Sequence, residues 1–136
     1  MSSIVVLDTD VWSALFIHPK PDVRVSTWRE QLIGATVVIA TQTWAEVLFG
    51  MDAAGWGDAR RNKVNQQLDA ATIVPVNTRV VEAFARLRGD CVRAGHGLHQ
   101  KLHMGDAWVA ATAIAINAPL LSGDGIYRKA PGLELL

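Results

Sequence analysis

The sequence predicts an α/β fold of three layers, with a mainly parallel sheet between helices. Two observations predict it. Short apolar runs, rich in β-branched side chains and without polar alternation, recur along the chain, as strands covered on both faces do. Helically periodic segments separate these runs, and strands that alternate with helices build parallel sheets. The 136 residues suit a single domain over 1–136, and with 50% hydrophobic residues the chain can bury a real core.

The elements follow in order. Ile4 to Leu7 reads as the first strand and Val11 to Ile17 as a short apolar helix. Thr36 to Ala40 is the second strand, followed by Trp44, Val47, Leu48 and Met51 at helical spacing. Val64, Leu68 and Ala71 form another helical stripe, with Arg60, Arg61 and Lys63 as its solvated face. Thr72 to Val76 is the third strand. Val80, Val81, Phe84, Leu87, Cys91 and Val92 mark the clearest amphipathic helix. Asp106 to Ala118 is apolar all round, as a helix packed on several sides is, and Pro119 to Ser122 is the last strand. There is no internal repeat or low-complexity tract. Trp44 and Trp108 are expected in the core, and Trp12 against another subunit. Cys91, the sole cysteine, reads as a small core residue in a reducing compartment.

Thirteen basic and thirteen acidic residues cancel, so net charge points to neither a nucleic acid nor a membrane, while leaving room for a local basic patch. No apolar run approaches the roughly 18 residues of a membrane helix, and no secretory leader pattern opens the chain. The expected location is the cytoplasm.

The carboxylates carry the chemistry. Asp8 follows the first strand in "IVVLDTDVWSALF". Glu46 lies one turn into the helix after the second strand. Asp106 opens the apolar helix, and Asp124 follows the last strand in "LLSGDG". In a parallel sheet Asp8, Glu46 and Asp124 reach the same edge, and Asp106 joins them if its helix starts there. Taken singly, each acid serves equally well as a helix cap or turn former, and "TWAE" (Thr43 to Glu46) fits a capping box. Taken together they repel. Two charges ~4 Å apart interact by about 4 kcal/mol at an effective dielectric of 20, a large share of a domain stability of about 5–15 kcal/mol. A hard divalent cation such as Mg²⁺ or Mn²⁺ removes that cost and brings hydrolytic chemistry.

These residues, in this order, resemble the PIN-domain ribonucleases, most closely the VapC-type toxins of bacterial toxin–antitoxin modules. The matching stretches are "VVLDTDVWSAL", "TQTWAEVLFG", "HMGDAWVAATA" and "LLSGDGIYRKAPGLELL", which span almost the whole chain. The resemblance implies a PIN-like α/β/α sandwich and a Mg²⁺- or Mn²⁺-dependent endoribonuclease. It also implies structured RNA substrates such as tRNA or rRNA, a homodimer, and a cognate antitoxin protein that inhibits the site. Carried over residue by residue, Asp8, Glu46, Asp106 and Asp124 match the acids that hold metal and catalyse. Thr9 and Ser122 match the hydroxyl positions that support the metal pocket. Asp10 stands where the family more often has Asn or Ser, and is expected to cap the first helix. "SGDG" replaces the commoner Thr-x-Asp form.

Two alternatives follow from the same residues. "LDTDV" with "GDG" is superficially similar to haloacid-dehalogenase-type phosphatases, with Asp8 as nucleophile and Asp10 as general acid; that reading leaves Glu46 and Asp106 idle. A PIN-like module that binds RNA or protein without cleaving it is the other. Arg24, Arg29, Arg60, Arg61, Lys101, Arg128 and Lys129 are candidate phosphate contacts. His99 and His103, four residues apart, lack the further ligands of a zinc site, though His103 lies close enough in sequence to Asp106 to meet substrate.

Overall fold

A computed structural model describes residues 3–18 and 23–136. Four strands, β1 (Ile4–Leu7), β2 (Thr36–Ala40), β3 (Ile73–Val74) and β4 (Leu120–Leu121), form one sheet in the order β3-β2-β1-β4. Every pairing is parallel, with Leu7 opposite Ile39 and Leu121, and Ile39 opposite Ile73. Among the described residues six α-helices fill the connections: α1 (Thr9–Phe16), α2 (Val23–Gln31), α3 (Thr41–Ala54), α4 (Asp58–Ala70), α5 (Thr78–Ala94) and α6 (Met104–Ala115).

The two faces of the sheet bury different residues of the same strands. Val5, Leu7, Ile39 and Leu121 face α1 to α4, where they pack with Val11, Trp12, Val47, Val64 and Leu68. Val6, Val38, Ala40 and Leu120 face α5 and α6, where Leu87, Cys91, Val109 and Ala110 cover them. Alternate residues therefore enter opposite layers, which is why the strands read as unbroken apolar runs. The three-layer α/β/α architecture with a parallel sheet is as the sequence predicts.

From β1 the chain steps outward to β2 and β3, then returns across the sheet to lay β4 on the other side of β1. The carboxyl ends of β1 and β4 thus flank a topological switch point, where open α/β sheets carry their sites. The C-terminal segment secures β4: the Leu120 amide donates to the Glu134 carbonyl (2.9 Å), and the Leu136 amide to the Leu120 carbonyl (3.0 Å).

Several details depart from the sequence reading. α2 is unanticipated; its stretch "VRVSTWREQ" is largely polar and buries Val25 and Trp28 alone. Trp12 lies in the chain's own core at 2% exposure rather than against another subunit. Trp44 is 42% exposed, because α3 turns Thr43, Val47 and Met51 inward and leaves Trp44 and Leu48 outside. Trp108 is half-buried and stacks on Phe84, with ring centroids 3.7 Å apart. Cys91 is fully buried, as expected. Among the described residues no helix is long and apolar enough to cross a membrane.

Leu120 is fully buried where β4 meets β1 and the C-terminal segment. Leu120→Ala should cost about 2–5 kcal/mol through lost burial and a residual cavity. Urea unfolding followed by circular dichroism measures this, and a loss below about 1 kcal/mol would mean that the β4 edge tolerates collapse.

Candidate active site

The end of β1 sets the first acid. Asp8 adopts extended backbone and caps α1, its Oδ1 accepting from the Thr9 amide at 2.9 Å. Its Oδ2 accepts from Ser122 Oγ, just past β4, at 2.7 Å. Ser122 Oγ accepts in turn from the Asp124 amide at 3.0 Å, and Asp124 caps the short 3-10 turn Gly125–Tyr127 through the Ile126 amide. One hydrogen-bonded chain therefore runs from β1 to the loop after β4.

Glu46 enters from α3. Its Oε2 accepts from Thr9 Oγ1 at 2.5 Å and its Oε1 from Gln42 Nε2 at 3.1 Å. Thr43 Oγ1, fully buried, sits 3.0 Å from Thr9 Oγ1. The expected capping box from Thr43 to Glu46 does not form: α3 begins at Thr41, with Ala40 at its cap position. The early start places Glu46 on the helix side that faces Thr9. Gly105 lets α6 approach; a Cβ there would stand 3.0 Å from Gln42 Nε2 and 3.1 Å from Glu46 Oε1.

Asp106 follows Gly105 in the first turn of α6. Its Oδ2 lies 3.0 Å from His103 Nδ1, and its Oδ1 faces the Tyr127 hydroxyl at 3.4 Å. Tyr127 is buried. Burial first, then the nearby charges of Asp8 and Asp106, push its phenol well above the ordinary range, so it stays protonated and can donate. The structure thus gathers Asp8, Glu46, Asp106, Thr9 and Ser122 at the carboxyl edge of the sheet. Asp124 lies at the exposed rim.

Asp10 is not the helix cap the sequence suggested, because Asp8 holds that position. Its Oδ1 accepts from the Val11 amide (2.8 Å) and its Oδ2 from the Gly123 amide (3.0 Å). Asp10 clasps the loop between Ser122 and Asp124. A Cβ at 123 would meet Asp10 Oδ2 at 2.8 Å and Trp28 Cζ2 at 3.1 Å, so a larger residue would have to displace the Asp10 carboxylate.

Tyr127 and Gln42 are not singled out by the sequence, and Thr43 is singled out only as a helix cap. Each acts on a partner across the fold or along a helix whose start was misjudged. His99 and His103 lie in successive 3-10 turns, Gly97–His99 and Lys101–His103. His103 turns to Asp106, while the His99 carbonyl accepts from Arg88 at 2.6 Å.

The electrostatics centre on Asp8. It is 7% exposed, and burial pushes its carboxyl from 3.8 up to about 7. Repulsion from Asp10 and Asp106 adds to this, while the Ser122 and Thr9 hydrogen bonds oppose it. No ion pair to Asp8 appears among the described residues. The donors at the sheet edge are hard oxygens, and a half-neutralised carboxylate is what a divalent cation would relieve. Among the described residues no three His, Cys, Asp or Glu side chains are already grouped to hold an ion. The donor chemistry fits Mg²⁺ or Mn²⁺ held partly through water, as Mg²⁺ commonly is.

A family model described as PIN domain matches residues 5–133. The VapC ribonuclease Y4jK of Sinorhizobium fredii is 26% identical, over 98% of this chain and 96% of the relative. Toxin FitB of Neisseria gonorrhoeae is 28% identical, over 81% of this chain and 80% of its own. Among solved structures, VapBC2 of Rickettsia felis, bound to a DNA fragment from its promoter, superposes with a TM-score of 0.79. That likeness covers 98% of this chain and 97% of the other at 21% identity.

Two outcomes follow. The folded chain holds the Asp8 proton more tightly than the unfolded chain, so stability falls as pH rises from about 4 to 7 and stays lower above. Asp8→Asn keeps an acceptor for Thr9 and removes the charge. It should stabilise the metal-free protein by about 2–4 kcal/mol at pH 8 and by almost nothing near pH 4; denaturant melts at both values test this, and an equal effect at each would contradict it. Gly123→Ala should cost about 1–3 kcal/mol by overpacking against Asp10, read in the same melts.

Proposed function

The chain belongs to the PIN-domain family, and on that premise we propose that it is an endoribonuclease acting as the toxin of a toxin–antitoxin pair. The observation that carries this reading is the buried Asp8 at the switch point, with Asp106 near enough to raise its pKa and Glu46 tied to the same strand end through Thr9, in a chain whose residues 5–133 match the family. The phosphatase alternative loses its support: Asp10, its general acid, is spent on the Val11 and Gly123 amides.

Asp8, Glu46 and Asp106, with Asp124 at the rim, would hold Mg²⁺ or Mn²⁺. When bound, such an ion neutralises the gathered carboxylates, polarises a phosphodiester and lowers the pKa of water. The chain's own residues do the rest. Ser122 and the Thr9 amide fix both oxygens of Asp8. Thr9 and Gln42 fix Glu46. His103 and Tyr127 orient Asp106. Such preorganisation means little rearrangement on binding RNA. Hydrolysis by water would leave a 5′-phosphate and a 3′-hydroxyl.

A cognate antitoxin is the expected inhibitory partner, and a homodimer the expected assembly. The dimer draws support from Trp44, Leu48 and Phe49 on α3, which are 42%, 36% and 72% exposed; clustered exposed apolar side chains of this kind commonly mark interfaces. The cytoplasm, where RNA is met, is the expected location.

Purified protein should cleave RNA with Mn²⁺ or Mg²⁺ and stop when a chelator is added. Asp8→Asn should lower cleavage by about 10²-fold or more while remaining folded. Mn²⁺ should raise the melting temperature of the wild type and leave that of Asp8→Asn unmoved. Sequencing RNA ends after brief expression of each form identifies the target. Metal-independent cleavage, or full activity in Asp8→Asn, would refute the proposal.

A further inference from the structure

A cavity of about 630 Å³ lies between the C-terminal end of α1 and α4. It falls in the ordinary size range of ligand pockets. Trp56, just before α4, forms one wall, with Arg60 and Lys63 above it.

The two neighbouring arginines of α4 do different work. Arg61 is structural: Nε donates to the Trp56 carbonyl (2.6 Å), Nη1 to Asp52 (2.8 Å) and Nη2 to the Met51 carbonyl (3.3 Å). It ties the turn between α3 and α4 and so fixes Trp56. Arg60 instead lies over the Trp56 ring, its guanidinium carbon 3.7 Å from the centroid. Arg60 and Lys63 are both exposed, and among the described residues neither is in an ion pair. The edge of Trp56 is met by His18, with centroids 5.5 Å apart and planes at 84°.

A smaller cavity of about 180 Å³ has Thr9, Glu46, His18 and Trp56 in its lining. Trp56 and Ile17 line both cavities. The residue that stacks with Arg60 therefore also lines the cavity that Glu46 lines. Stacked guanidinium and indole groups accept unpaired bases, while flanking cations hold phosphates.

We propose that Trp56, Arg60 and Lys63 form a subsite for single-stranded RNA next to the cleaved phosphodiester. The proposal rests on the ribonuclease reading and deepens it. Arg60 and Lys63 contact phosphates, and the Trp56–Arg60 stack takes a base. The site reads strandedness rather than sequence, because every base has a π-face. Arg60 and Lys63 thus supply basic charge on one face of α4 although the chain as a whole is neutral.

The test is binding of a short fluorescein-labelled single-stranded RNA of mixed sequence, by anisotropy, to Asp8→Asn protein. Adding Arg60→Glu with Lys63→Glu should weaken binding at least tenfold and lower the slope of log affinity against log salt by about 1–2, at roughly 0.7 per phosphate contact. Reversing Arg79 and Arg86 on α5 changes net charge equally on the opposite layer and should leave binding within twofold. Trp56→Phe should keep most of the affinity and Trp56→Ala should lose it; thermal melts confirm that each variant is folded. Equal weakening by the α5 pair, or no change on reversing Arg60 and Lys63, would overturn the subsite, the second outcome leaving the face to a protein partner. Cleavage by the wild type, measured alongside with Mn²⁺, shows whether the ribonuclease reading stands by itself; if the wild type neither cleaves nor binds the RNA, both fall.

Discussion

The structure depends on holding one carboxylate where a carboxylate is least at ease. Asp8 sits at the end of a central parallel strand, almost fully buried, with two hydrogen bonds and, among the described residues, no ion pair. Those bonds, from Ser122 and Thr9, oppose its protonation but do not outweigh burial, which pushes the carboxyl up to about 7. Buried ionisable groups without partners ordinarily disappear from proteins, because neutral replacements are more stable. Perturbed carboxylates cluster at functional sites, and under the proposed activity Asp8 would trade stability for chemistry.

The rest of the fold serves that arrangement. The switch point puts β1 and β4 side by side, so Asp8 and Ser122 meet although 114 residues separate them. Two glycines let other elements close in. Gly105 allows α6 to press its first turn against Glu46, and Gly123 lets the β4 loop lie on Asp10 and Trp28. Thr9 joins the β1 end to α3 through Glu46. Each carboxylate is therefore oriented by a neutral donor, or by a histidine in the case of Asp106. Neutral donors fix geometry without cancelling the negative charge that a cation would need.

How much of this could be read from the sequence depended on the range of the interaction. β1 and β2 were legible to the residue, because continuous β-branched runs covered on both faces look like little else. β3 and β4 were found but drawn too long; their pairing ends where the sheet narrows to two residues. α2 was missed because it buries two side chains and is otherwise polar. Trp44 and Trp12 were exchanged in role for one reason: the period of a helix locates a stripe, while its direction is set by the sheet beneath. The acids stand out in the sequence because each follows a strand end or lies near the start of a helix. Tyr127 and Gln42 were not, because what they do depends on side chains brought near by tertiary packing. Asp10 looked like a cap, but the residue two before it already had the extended backbone and the free acceptor that the cap position demands.

On the ribonuclease reading, the same division would let a chain with no net charge address a polyanion. Its acids are drawn inward, to the end of the sheet, where they would face a cation. Its unpaired basic groups on α4 point outward, beside a tryptophan that Arg61 holds in place. Screening over roughly 8–10 Å at physiological ionic strength lets the two regions act separately, so attraction for a phosphate backbone does not require a basic protein. Net charge hid this arrangement because it sums over surfaces that a strand meets one at a time. In this fold the sheet edge sets where a phosphodiester would be cut, and the helix beside it sets which way the strand would lie.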